Sequence, residues 1–133
     1  MAMNIRVITP TRTVCSTEAE EILIPSLTGK IGILEGHISL VTALDIGLLK
    51  IRMGTKWTPI LLLGGVAQID QDLITVLVPE VQELNGVNLS EANKELEQAT
   101  LKLETAEASE DKIAAALEVK RLTALIEGIN FIS

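Results

Sequence analysis

The sequence predicts a small all-β domain of the sandwich type followed by an antiparallel α-helical hairpin. Three observations lead there. The first 80 or so of the 133 residues alternate with period two and are broken by frequent turn residues. After Gly86 the apolar residues recur with helical period instead. Hydrophobic residues make up 47% of the chain, enough for a core and too many for intrinsic disorder. The expected division is residues 1–86 for the sandwich and 87–133 for the hairpin.

Asn4 to Thr9 alternates and stops at Pro10. Ala19 to Ile24 reads as a second strand, closed by Pro25-Ser26, and Ile31 to Leu34 as a short one bounded by glycines. Gly47 to Met53 and Trp57 to Leu63 follow. Val66 to Ile69 and Leu73 to Val78 flank Asp70-Gln71-Asp72, a hairpin loop. Short strands at this spacing indicate a sandwich or barrel. Pro59 inside a strand points to an edge or a bulge, because proline cannot donate to the ladder. Gly64-Gly65 marks a bulge or a close backbone approach. Leu89, Ala92, Leu96, Ala99, Leu103 and Ala106 form the first helical stripe, with Asn88 as N-cap and Glu91 three residues on. Ala115, Val119, Leu122, Ile126 and Ile129 form the second, with Ser109 as N-cap and Glu110 and Asp111 at the positive end of the helix dipole. The connection is short, so the helices run antiparallel. Stripes this rich in alanine bury little area, so the hairpin is marginal by itself and needs a surface to dock on.

Composition excludes several functions. Aromatic residues are 2% of the chain and the net charge is −7, wrong for base stacking and for a phosphate-binding surface, so no nucleic-acid partner is expected. The longest apolar run, Ile60 to Ala67, is far short of the ~20 residues of a membrane span, so no direct membrane insertion is expected. The start of the chain does not read as a signal peptide. One cysteine, Cys15, permits no internal disulfide. A lone His37 and a lone Cys15 have no recognised metal-ligand spacing, and no cofactor is expected. Gly29-Lys30 is not a phosphate loop, since Ile24 and Ile31 stand where glycine and a hydroxyl residue would be needed. The glycines around it read instead as turns that project an apolar loop, and an exposed apolar loop suggests a partner. Lys112, Lys120 and Arg121 are the cations of the second helix and would meet an acidic surface, if they are more than solvated decoration.

Taken together, these motifs resemble the epsilon subunit of the F-type ATP synthase. The family's loop stands here as Gly29 to Gly47, with Gly32, His37, Leu40, Leu44 and Gly47 in place. Its glycine pair stands as Gly64-Gly65-Val66-Ala67, the next strand as Ile74 to Val78, and a helical hairpin ends the chain. Thr9 to Val14, Asp45 to Arg52 and Glu127 to Ser133 are similar to the chloroplast and cyanobacterial branch. The absence of a transit peptide would fit a plastid-encoded or a cyanobacterial protein.

The resemblance implies a non-catalytic rotor subunit. It would couple proton translocation to ATP synthesis and restrain wasteful ATP hydrolysis. It would sit peripherally on the thylakoid membrane, on the stromal side in a chloroplast or the cytoplasmic side in a cyanobacterium. The loop Gly29, Lys30, Ile31 and Gly32 would face the c ring. His37, Ile38, Ser39, Leu40, Val41 and Thr42 would face the gamma subunit. Lys112, Lys120 and Arg121 would contact the alpha/beta head through the hairpin. Two departures stand out. Some relatives bind ATP through a motif like [IL]-D-x-x-R-A, whose acid and arginine are Ser90 and Asn93 here, so ATP binding is not expected. The second helix follows Lys120 and Arg121 with Leu122-Thr123-Ala124-Leu125, short of the arginines usual in the chloroplast branch. The alternatives are a lipoyl-type carrier domain, whose modified lysine would sit at a hairpin tip between two β halves whereas Glu110-Asp111-Lys112 lies between helices, and a small hydrolase using His37.

Overall fold

The computed structural model describes residues 3–37 and 39–132. The chain divides into two compact units, Met1–Gln82 and Glu83–Ser133. The first contains the strands β1 (Met3–Ile8), β2 (Thr13–Ala19), β3 (Glu21–Ser26), β4 (Gly29–Leu34), β5 (Leu40–Met53), β6 (Lys56–Asp70), β7 (Leu73–Leu77) and β8 (Val81–Gln82). The second contains the helices α1 (Leu89–Thr105) and α2 (Ser109–Ile132).

The strand order is β2-β1-β7-β6-β5-β3-β4, with β8 also on β6. β1 and β7 are parallel, and the other pairs are antiparallel. β5 and β6 are 14 and 15 residues long and serve both layers of a sandwich. Their outer halves, 40–44 and 65–69, continue into β7 and β1, whereas their inner halves, 46–53 and 56–63, continue into β3 and β8. Side chains on alternating positions then meet between the layers. Met3, Ile5, Val7, Ala67, Ile69, Ile74 and Val76 come from one layer, and Ile22, Ile24, Ile33, Leu49, Ile51 and Leu62 from the other.

β6 changes layer at Gly64 and Gly65, whose φ angles are +84° and +125°. The β5–β6 register is the same on both sides of Gly64, so this is a bend and not a bulge. The close approach expected there is at Gly65, where a Cβ would lie 2.3 Å from the Leu77 carbonyl oxygen. Pro59 fits locally: β8 takes only Leu61 and Leu62 of β6, and β7 only Val66 onward, so among the described residues the far side of β6 at Pro59 is an edge.

The β5–β6 turn is held by a polar clamp. Arg52 donates from Nε to Glu21 Oε1 at 3.2 Å and from Nη1 to the Gly54 carbonyl at 3.0 Å, and its guanidinium lies 5.9 Å from the Trp57 ring centre. Glu20 Oε1 accepts the Gly54 amide at 2.8 Å. Charge-assisted hydrogen bonds of this kind are stronger than neutral ones.

In the second unit Asn88 Oδ1 accepts the Glu91 amide at 3.1 Å, the expected N-cap. α2 begins at Ser109 itself, and its first helical bond runs from Lys112 to the Ala108 carbonyl at 3.1 Å. An open groove between the helices is floored by Ala99, Ala106, Ala114 and Ala115, and it brings Glu95 near Glu118 and Ala106 near Asp111, as antiparallel helices require. α1 buries Ala92 and Ala99, while α2 buries Ala115, Leu122, Ala124, Leu125 and Gly128.

The strands differ from the sequence reading in several places: Ala19 ends β2, β3 runs from Glu21 through Pro25 and Ser26 where a closing turn was expected, and β4 starts at Gly29 and not Ile31. β2 was not expected, since its Thr-Val-Cys-Ser-Thr-Glu run lacks a clean apolar alternation and is an edge strand. β5 starts at Leu40 and not Gly47, β6 runs unbroken through its glycines, and β8 is a two-residue strand too short for a periodic signal.

Candidate partner-binding surface

Gly29, Lys30, Ile31 and Gly32 do not form a loop. They are the first two-thirds of β4, paired with Ser26, Pro25, Ile24 and Leu23 of β3. The turn that projects is Leu27-Thr28, and Gly29 follows it with φ +122°. β4 ends the sheet order, so this segment is an edge strand. Sequence reasoning took two glycines close together for loop signals, but Gly32 lies in ordinary strand conformation where a Cβ would meet only Leu23 Cδ2, at 3.5 Å.

A hydroxyl cluster ties this turn to β5. The buried Ser26 Oγ lies 2.7 Å from Thr42 Oγ1 and 3.0 Å from Thr28 Oγ1, and it accepts the Thr28 amide at 3.2 Å. The Leu27 amide donates to the Ala43 carbonyl at 3.0 Å. Ser26, the strand partner of Gly29 at the start of the segment expected to face the c ring, thus touches Thr42 at the end of the segment expected to face gamma, 16 residues away in sequence.

Between β4 and β5, residues 34–37 form a turn closed by the His37 amide on the Leu34 carbonyl at 3.1 Å. Ile38 lies outside the described residues. Ser39 is exposed, Leu40 is half-buried, and Val41 and Thr42 alternate outward and inward along β5.

One surface was missed by sequence reasoning. In-register partners share a face of the sheet, and Ile8, Leu77, Val66 and Ala43 are successive partners across β1, β7, β6 and β5. They form an apolar row about 15 Å long at the usual strand spacing. Leu77 is 51% exposed and Val66 42%, with Val41 at 66% on the same face and Leu27 at 61% beside Ala43. Strands that are apolar on both faces were the available signal, but only register shows which apolar side chains line up outside. A contiguous exposed apolar patch marks an interaction surface.

The hairpin cations do not form one patch. Lys112 and Arg121 are nine residues apart, about 180° around the helix. Arg121 donates from Nε to Glu118 Oε2 at 3.1 Å and pairs with Oε1 as well. That hydrogen bond, reinforced by charge, holds the Glu118 carboxyl below its usual range and the Arg121 guanidinium above its own. A carboxyl with a lower pKa folded than unfolded contributes stability above the unfolded value, and the contribution is lost as pH falls through the folded one. Glu118→Gln is therefore expected to lower thermal stability at neutral pH by less than about 1 kcal/mol, because the pair is solvent-screened. The difference from the parent, followed by circular dichroism, should close as the pH falls below 4.5.

No group of described residues is arranged to hold a metal ion. Burial pushes the Cys15 thiol up, and its half-buried side chain packs against the sandwich core. Among the described residues no helix is long and apolar enough to cross a membrane.

A family model described as "ATP synthase, Delta/Epsilon chain, beta-sandwich domain" matches residues 2–83. The chain is 53% identical to the chloroplastic ATP synthase epsilon chain of Phaeodactylum tricornutum and 55% identical to that of Thalassiosira pseudonana, in each case over all of both chains. It is 44% identical to the corresponding protein of Gracilaria tenuistipitata var. liui, over 100% of this chain and 99% of the relative. Among solved structures, a chain in the cryo-EM structure of Euglena gracilis mitochondrial ATP synthase (OSCP/F1/c-ring) shares the fold, with a TM-score of 0.84 at 19% identity over 96% of this chain and 81% of that one. A chain of the Tetrahymena thermophila mitochondrial ATP synthase central stalk and c ring shares it at a TM-score of 0.64 and 14% identity, over 97% of each. These matches leave the carrier and hydrolase alternatives without support. Full-length similarity of this order means that the chain belongs to the ATP synthase epsilon-chain family.

Proposed function

We propose that this chain is a non-catalytic subunit of the ATP synthase central stalk. Its sandwich binds the gamma subunit and sits on the c ring, and it helps couple proton translocation to ATP synthesis. It works on the stromal side of the thylakoid membrane, in keeping with its chloroplastic relatives. The observation that carries the binding role is the exposed apolar row Ile8, Leu77, Val66 and Ala43, which a protein stable alone would have little reason to present. In this reading His37 and Ser39 to Thr42 lie at the gamma side of that row. The Leu27-Thr28 turn and the adjoining Gly29 to Gly32 edge point to the c ring. A regulatory hairpin, 87–133, restrains ATP hydrolysis, with Lys120 and Arg121 meeting the acidic surface of the alpha/beta head and Lys112, on the side of the helix opposite Arg121, meeting a separate part of it.

The test is titration of the purified chain onto F-type ATPase stripped of its epsilon subunit, with co-elution and ATP hydrolysis followed together. Saturable binding with a fall in hydrolysis is expected. Joint Lys120→Gln and Arg121→Gln substitution should bind as tightly and inhibit less. Unchanged inhibition would remove these two cations from the regulatory role, and no binding at all would sink the assignment of partners.

A further inference from the structure

The turn that carries His37 is tied to a residue far away in sequence. Gly36 donates its amide to Asp72 Oδ1 at 3.1 Å, across 36 positions. Asp72 is itself well placed for this. It follows Gln71, which has a φ of +56°, in the β6–β7 turn, and its carbonyl accepts the Asn4 amide at 2.8 Å. Its backbone is therefore pinned to β1 while its carboxylate reaches the β4–β5 turn. At the other end of the bond, Gly36 has a φ of +84° and the His37 amide closes the turn on Leu34. The chain crosses here from β4, at the edge of one layer, to the start of β5 in the other. A free turn at such a crossing would sample several positions, and a binding segment that must be ordered on contact loses affinity to that ordering.

We propose that Asp72 is the positioning residue of the partner-binding turn: its carboxylate holds the Gly36 amide and so sets the turn through His37 in place before the partner arrives. The inference rests on the reading of His37 to Thr42 as the gamma-facing segment. Asp72 itself is a turn residue that needs no contact with the partner to act. In sequence it is one more acid in a hairpin loop, and only the fold connects it to Gly36.

The experiment uses the full chain and the epsilon-depleted ATPase. Hydrogen exchange at the Gly36 amide and the affinity for the complex are measured for the parent, Asp72→Ala and Asp72→Asn. Asp72→Ala is expected to expose the Gly36 amide and to weaken binding about 2- to 12-fold, the equivalent of one ordinary solvent-exposed hydrogen bond. Asp72→Asn keeps an oxygen acceptor of the same length, and it should restore both amide protection and most of the affinity. If Asp72→Ala does not fold, Asp72→Glu takes its place, since it keeps the charge and moves the acceptor by one methylene; loss of affinity is again expected. Parent-like binding by a folded variant whose Gly36 amide has been freed would overturn the proposal and leave the gamma-binding role intact. A parent that does not bind the complex would overturn both.

Discussion

Gly65→Ala should lower the stability of the sandwich by about 3–5 kcal/mol, from left-handed backbone strain together with overpacking. Gly65 has a φ of +125°, and a Cβ there would lie 2.3 Å from the Leu77 carbonyl oxygen and 2.8 Å from Val78 Cγ1. The oxygen belongs to backbone, so it cannot swing aside as a side-chain tip could. β7 would have to move off β6, and with it the parallel partner β1. Neighbouring Gly64 is the internal control. Its φ is +84° but a Cβ would meet only the Leu44 carbonyl oxygen, at 3.9 Å, so Gly64→Ala should cost about 1 kcal/mol of conformational strain alone. Thermal unfolding separates the two: at about 4–8 °C per kcal/mol for a domain of this size, Gly65→Ala should melt at least about 12 °C below the parent. Equal effects at the two glycines would mean that close approach is not what selects glycine at 65.

Joint Val66→Lys and Leu77→Lys substitution should weaken binding to the epsilon-depleted ATPase by about 30-fold or more, the signature of losing the centre of an interface. The two residues are directly opposed across β6 and β7 and more than 40% exposed, so lysines there project into solvent in the free chain. Stability should change by no more than about 0.5 kcal/mol, as for other exposed sites. Two adjacent like charges oppose each other on the sheet, so a Val66→Lys and Leu77→Glu pair serves as the charge-balanced version. Affinity lost with both pairs, at an unchanged melting temperature, would place the partner on this face. Retained affinity would move the interface elsewhere on the sandwich and leave the apolar row without its assigned role.

Much of this architecture was written in local chemistry. The alternation of Asn4 to Thr9 and of Leu73 to Val78 encoded β1 and β7, because a half-buried strand must place apolar residues on every second position. Asn88 and the Leu-Ala stripe encoded α1, since capping and helical period are both short-range properties. β2 stayed hidden because an edge strand needs little apolar content, and the start of β5 stayed hidden because Leu40 to Ala43 gains its strand character from pairing with β6. The Gly29 to Gly32 segment misled for a related reason: glycine reports a permitted conformation, and whether the chain uses it at a given place depends on its neighbours.

What the sequence determined alone was the kind of element at most positions, the change of architecture near residue 86, and, through motifs spread along the chain, the family. These are properties of residue type and spacing, and they need no partner distant in the chain. What only the tertiary structure decided was adjacency. It aligned Ile8, Leu77, Val66 and Ala43 into one exposed row, closed Ser26 on Thr42, and set the Asp72 carboxylate on the Gly36 amide. A strand carries no mark of which strand will lie beside it or in what register, because that choice is made by the burial of the whole inner face at once. The surface that meets a partner is what that choice leaves outside.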